Sequence, residues 1–171
     1  VAHRGASGGN IPCNTMAAYE IALMQGADML EIDVDCTRDG ELIIFHPGME
    51  KPLLHCANSM RYMTSDEIKY LRYVNVDDSP TQFGLNTLEE VLEEFKGKCY
   101  INVDKFWTDI EGIAKEIRKA GVEKQVIVKT GDELLIASTN GKCLRFREKD
   151  CRPLGRTSQG VRSMKIESDE S

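Results

Sequence analysis

Residues 31–46 read EIDVDCTRDGELIIFH. Acidic and apolar side chains alternate from Glu31 through Asp35, the two-residue period of a strand. Asp39-Gly40 is a strong hairpin dipeptide. A second strand over ELIIF therefore returns beside the first and delivers His46 at its end. Side chains at i, i+2 and i+4 of a strand share a face, so Glu31, Asp33 and Asp35 point together.

On the amino-terminal side, VAHRG is a short strand running into a glycine turn, and NTMAAYEIALMQG is a helix with Asn14 as N-cap and Gly26 as stop. On the other side, Pro47 to Gly84 is looser and holds one short helix, opened by a capping box from Thr64 to Glu67. NTLEEVLEEFKG reads as a helix with a second box, Thr87 to Glu90. CYINVD is a strand, TDIEGIAKEIRKAG a helix with a third box from Thr108 to Glu111, and QVIVK a fourth main strand. Strands separated by helices of about 10 to 15 residues form parallel βα units. Four units suit an open doubly wound sheet or part of a barrel, and both place chemistry at the carboxyl ends of the strands.

Composition narrows the class. At 171 residues the chain holds one ordinary domain, and its 41% hydrophobic and 29% charged content is that of a soluble globular protein. No apolar run approaches the roughly 20 residues that span a bilayer, and no secretory signal is visible. The six cysteines show no Cys-x-x-Cys pair or framework spacing; they read as reduced and mostly buried, which fits a cytoplasmic setting. Charge is uneven: residues 1–141 carry net −9, residues 142–165 net +6.

The carboxylates carry the chemistry. Clustered acids repel unless a cation sits among them, and carboxylate oxygens suit calcium or magnesium better than zinc. A solvated strand edge explains the spacing of Glu31, Asp33 and Asp35 equally well, but a second strand end favours the metal. Asn102 and Asp104 share a face there, with Lys105 beside them. His3 and Arg4 end the first strand and His46 ends the hairpin. His55 lies in a polar loop and reads as structural.

The ordered set AHRGASGGNIPCNTMAAYE…GADMLEIDVDCTRDGELIIFH resembles the glycerophosphodiester phosphodiesterase family. Its hallmarks are His-Arg-Gly on the first strand, a Pro-Glu-Asn-Thr turn, Glu-x-Asp on the second strand and a histidine after the hairpin. The resemblance covers residues 1 to about 130 and implies a (β/α)8 barrel with an insertion, here residues 47–84. The fold class is thus α/β, a partial (β/α)8 barrel of about four βα units followed by a short β-hairpin segment. A complete barrel has eight strands in about 250 residues, so the open half exposes edges that invite homo-oligomers. The implied reaction hydrolyses a glycerophosphodiester to glycerol 3-phosphate and an alcohol through a cyclic phosphate. Glu31, Asp33 and Asp104 would bind the metal, Ca2+ or Mg2+. His3 and His46 would act as general acid and base, Arg4 would hold the phosphate, and Lys105 and Lys129 are weaker phosphate candidates. Two departures bear on rate. Cys13 replaces the glutamate of the turn, and Pro47 follows His46 where relatives commonly have an aspartate, removing a partner that would orient the imidazole.

After Lys129 the pattern changes. DELLIASTNGKCLRFREKDCRPLGRTSQGVRSMKI resembles one blade of the C-terminal β-propeller of the DNA gyrase A subunit. Two alternating strands around the Asn140-Gly141 turn read as a hairpin and put a boundary near Thr130, with the hairpin and a basic tail over 131–171. The likeness implies weak DNA contact through 142–165 by Arg145, Arg152, Arg156 and Arg162. The alternatives to a phosphodiesterase are therefore a DNA-binding fusion and an inactive chimera.

Overall fold

The computed structural model describes residues 1–130, 133–137 and 143–147, with side chains as far as residue 128. Strands β1 (Ala2–His3), β2 (Met29–Cys36), β4 (Tyr100–Asp104) and β5 (Val126–Thr130) pair in parallel in the order β1-β2-β4-β5. Helices α1 (Met16–Met24), α4 (Leu88–Phe95) and α5 (Ile110–Ala120) lie on the crossovers between them. This is the expected partial barrel. Strand β3 (Leu42–Ile44) returns antiparallel to the carboxyl half of β2 through the Asp39-Gly40 turn, where Gly40 has φ 89°. The sheet continues through an antiparallel hairpin of β6 (Glu133–Ala137) and β7 (Cys143–Arg147). The hairpin read from the Asn-Gly spacing is thus present, hydrogen-bonded to the edge of β5.

The main core lies between the sheet and its helices, around Leu30, Ile32, Val34, Ile101 and Val103 from the strands. Tyr19 meets Phe95 edge-on within it, ring centroids 5.9 Å apart. The segment from Pro47 to Gly84 carries two short helices, α2 (Glu50–Leu54) and α3 (Ser65–Ile68), and packs a second core around Phe45, Leu54, Met60, Ile68 and Tyr73. Among the described residues no helix is long and apolar enough to cross a membrane. Cys13, Cys36, Cys56 and Cys99 form no disulfide.

Two helix starts differ from expectation. The capping boxes at Thr64 and Thr87 are both complete. Thr15, not Asn14, caps α1, its hydroxyl accepting from Ala18 N–H at 3.3 Å. Asn14 is instead drawn into the interior. Asp109 rather than Thr108 caps α5, because Thr108 closes a 3₁₀ turn from Phe106.

Candidate active site

The first strand ends in a tight turn. Arg4 adopts φ 57°, and Gly5 follows at φ 80° with the backbone of α1 pressed against it. A Cβ on Gly5 would stand 2.7 Å from the Ala18 carbonyl carbon, so the turn requires glycine. The Arg4 amide then donates to Glu31 Oε2 at 3.1 Å. Its guanidinium Nε lies 2.8 Å from Asp33 Oδ2, an ionic contact outside hydrogen-bond alignment.

Register brings the acids together. Glu31 stands opposite Asn102, and Asp33 opposite Asp104, on hydrogen-bonded neighbouring strands. One carboxylate oxygen each from Glu31, Asp33 and Asp104 lie within 4.8 Å of one another. Glu31 and Asp33 are buried. Desolvation, and then the Asp33 charge, raise the Glu31 carboxyl above its ordinary range. Lys105, in the left-handed conformation at φ 60°, turns its Nζ to 3.1 Å from Asp104 and 3.6 Å from Asp33.

This donor set fits a divalent cation. Asp33 Oδ1 and Asn102 Oδ1 are buried with no hydrogen-bond donor. The three converging carboxylates, one of them with an orphaned oxygen, and the Asn102 amide oxygen on the neighbouring strand supply the all-oxygen set that hard cations prefer. Arg4 and Lys105 each offset only part of the negative charge.

Asp35 does not join the group, although it shares the face of Glu31 and Asp33. β2 outruns β4, whose last pairing is at Asp33, and Asp35 meets Arg61 at 3.3 Å instead. Asn14 is the residue the sequence reading missed. Fully buried, it donates from Nδ2 to Asp33 Oδ2 at 2.9 Å and accepts from the Tyr19 hydroxyl at 2.9 Å. Its neighbour Thr15 is an equally good cap by type, so only the tertiary partner separates them.

The two candidate catalytic histidines, His3 and His46, sit in different settings. His3 is exposed, its Nε2 3.9 Å from Glu31 Oε2. His46 Nδ1 lies 2.8 Å from the Pro47 carbonyl oxygen. A carbonyl only accepts, so Nδ1 carries the proton and Nε2 is left as the acceptor. The orienting group expected to be lost with Pro47 is thus replaced by that residue's own backbone. Cys13 stands near Arg4 and Asp33, and burial raises its thiol above the ordinary value, leaving a neutral group where a glutamate was expected. His55 sits apart, in an exposed contact with Asp78. Lys129 on β5 and Arg145 on β7 have side chains outside the described residues, and Arg152, Arg156 and Arg162 are outside them altogether.

The model of the glycerophosphoryl diester phosphodiesterase family matches residues 3–166. The match runs on through 131–166, so the segment read above as a propeller blade falls within the family match, and the blade fusion is not supported. A glycerophosphodiester phosphodiesterase of Caldanaerobacter subterraneus is 31% identical over 142 residues, which is 75% of this chain and 56% of that protein. One from Bacillus altitudinis is 41% identical over 132 residues, 73% of this chain and 49% of that protein. The crystal structure of a glycerophosphoryl diester phosphodiesterase from Parabacteroides distasonis superposes with a TM-score of 0.70 at 26% identity, covering 77% of this chain and 46% of that one. The chain spans about half the length of the relatives it matches.

Proposed function

Since this chain belongs to the glycerophosphoryl diester phosphodiesterase family, we propose that residues 1–130, with 47–84 as an insertion, form a metal-dependent site that hydrolyses a glycerophosphodiester to glycerol 3-phosphate and an alcohol. The observation that carries the reading is the meeting of Glu31, Asp33 and Asp104 oxygens within 4.8 Å from two adjacent strands. Glu31, Asp33 and Asp104 hold the cation, calcium or magnesium, which screens the phosphate charge and favours ionisation of a hydroxyl. Arg4 and Lys105 face the same phosphate from the ends of β1 and β4.

His46 Nε2 accepts the proton of the glycerol 2-hydroxyl as that oxygen bonds to phosphorus. The bond from phosphorus to the alcohol oxygen breaks, and His3, protonated at the start, donates its proton to the leaving oxygen. In the second half His3 takes a proton from water, whose oxygen attacks the cyclic phosphate. The bond from phosphorus to the 2-oxygen breaks as His46 returns its proton to that oxygen, and both rings regain their starting states. The sum is one diester and one water in, glycerol 3-phosphate and one alcohol out.

Release of glycerol 3-phosphate from glycerophosphocholine, measured with calcium, magnesium or EDTA, tests the assignment. Metal-dependent turnover that disappears in His46→Ala and in Glu31→Gln supports it; turnover that survives both, or absence of turnover with either ion, refutes it. DNA contact through 142–165, self-association through the open sheet edges and a cytoplasmic setting rest on composition and pattern alone. Salt-sensitive DNA binding lost on deletion of 131–171, and light scattering, test the first two.

A further inference from the structure

The insertion touches the catalytic strands at a charged point that the proposed reaction leaves unused. Asp35 lies two residues beyond the last β2–β4 pairing, on the face of Glu31 and Asp33. It is fully buried, accepts from Cys36 N–H at 2.9 Å and from Arg61 Nε at 3.3 Å, and its Oδ2 has no hydrogen-bond partner. Arg61 comes from the 3₁₀ turn Met60–Tyr62 of the insertion, and its Nη2 reaches Thr108 Oγ1 at 3.4 Å, past the end of β4. One guanidinium thus bridges the insertion, the end of β2 and the loop after β4. Its side chain is 53% exposed. Next to Thr108 in the chain, Trp107 is half-exposed and has the Lys105 ammonium 5.5 Å from its ring centroid.

We propose that Arg61 and Thr108 form the subsite for the alcohol half of the diester and select an oxygen-rich, polyol head group over a quaternary ammonium. The inference rests on the phosphodiesterase reading above. The phosphate and the attacking glycerol hydroxyl are engaged at the carboxylates and histidines, so the leaving alcohol extends outward from them. Arg61 supplies a cationic group at the end of β2, paired with Asp35 two residues beyond Asp33. A guanidinium offers a planar fork of N–H donors matched to paired oxygens, and Thr108 adds a hydroxyl. A trimethylammonium finds no complement there. Asp35 is buried beneath Arg61, and the Lys105 ammonium, 5.5 Å from the Trp107 ring centroid, repels a second cation from that ring.

The test compares kcat/KM for glycerophosphoinositol and glycerophosphocholine in the wild type, Arg61→Met and Arg61→Lys. The wild type should prefer the inositol diester by about tenfold, the worth of one charge-assisted hydrogen bond. Arg61→Met should bring the ratio near one, with the loss falling on the inositol substrate, and Arg61→Lys should keep an intermediate ratio. A ratio that Arg61→Met leaves unaltered, even with a lowered Tm, means that Arg61 only pins the insertion and overturns the proposal. So does a wild-type preference for choline. If neither diester turns over, the hydrolase reading fails on its own, and calorimetric binding of both diesters to the calcium-loaded protein decides this one. Tighter inositol binding that Arg61→Met abolishes sustains it; equal binding overturns it.

Discussion

Replacing Glu31 by glutamine should make the metal-free protein more stable while removing its response to calcium. Two unit charges no more than 4.8 Å apart repel by at least about 3.5 kcal/mol at an effective dielectric near 20. Arg4 and Lys105 offset most of that, leaving roughly 1 kcal/mol to be relieved by a neutral isostere. The sign agrees with the titration. Burial and Asp33 raise the folded Glu31 carboxyl above its unfolded value, so at neutral pH its ionised form is the one folding disfavours. Glutamine retains an oxygen to accept from the Arg4 amide, so the turn is kept. In EDTA the variant should melt about 3 °C higher than the wild type. Calcium at a hundredfold excess over its Kd stabilises the wild type by about 2.7 kcal/mol, or about 8 °C, and the variant by much less. Differential scanning calorimetry with and without calcium checks both halves. Equal calcium shifts in the two proteins, or a variant that melts lower in EDTA, would refute the shared-ion reasoning.

Asn14→Ala removes the buried amide that holds Asp33 Oδ2 and should raise the calcium concentration for half-maximal activation about tenfold, read from activity against free calcium; Tyr19→Phe, one bond farther out, should do less. Gly5→Ala adds a methyl group against the Ala18 backbone at a positive φ and should cost about 3 kcal/mol in urea unfolding. Asp39, which accepts from Thr37 and from the Ser65 hydroxyl and amide, has its carboxyl pushed down to about 2. A depressed folded pKa contributes stability above the unfolded value that disappears as pH falls through the folded one. Between about pH 4 and 2 the wild-type Tm should therefore drop more steeply than that of Asp39→Asn, and parallel slopes would contradict the bond pattern.

Much of this arrangement is legible in residue order, because it rests on local rules. The alternation in EIDVD gives β2 and the shared face of its acids. Asp39-Gly40 gives the hairpin, and the boxes at Thr64 and Thr87 give helix starts that depend only on residues three apart. What escapes sequence reading depends on partners distant in the chain. Asn14 and Thr15 are both good caps, and the choice falls to Thr15 because Asp33, 19 positions away, takes the Asn14 amide. Asp35 shares a face with Glu31 and Asp33, yet strand register decides its fate: β4 stops at Asp104, so Arg61 becomes its neighbour. The tautomer of His46 was hidden for the same kind of reason, since a backbone carbonyl carries no signature in the letter code.

The three carboxylates and His3 all precede residue 105, on strands that pair as soon as β4 meets β2, and His46 follows β3. On a ribosome that threads out the amino terminus first, the hollow where these carboxylates meet is complete once that fourth strand has emerged. An ion caught there adds its binding free energy to the early intermediate. Sheet laid down after that point would then be added to a seam already joined by the cation.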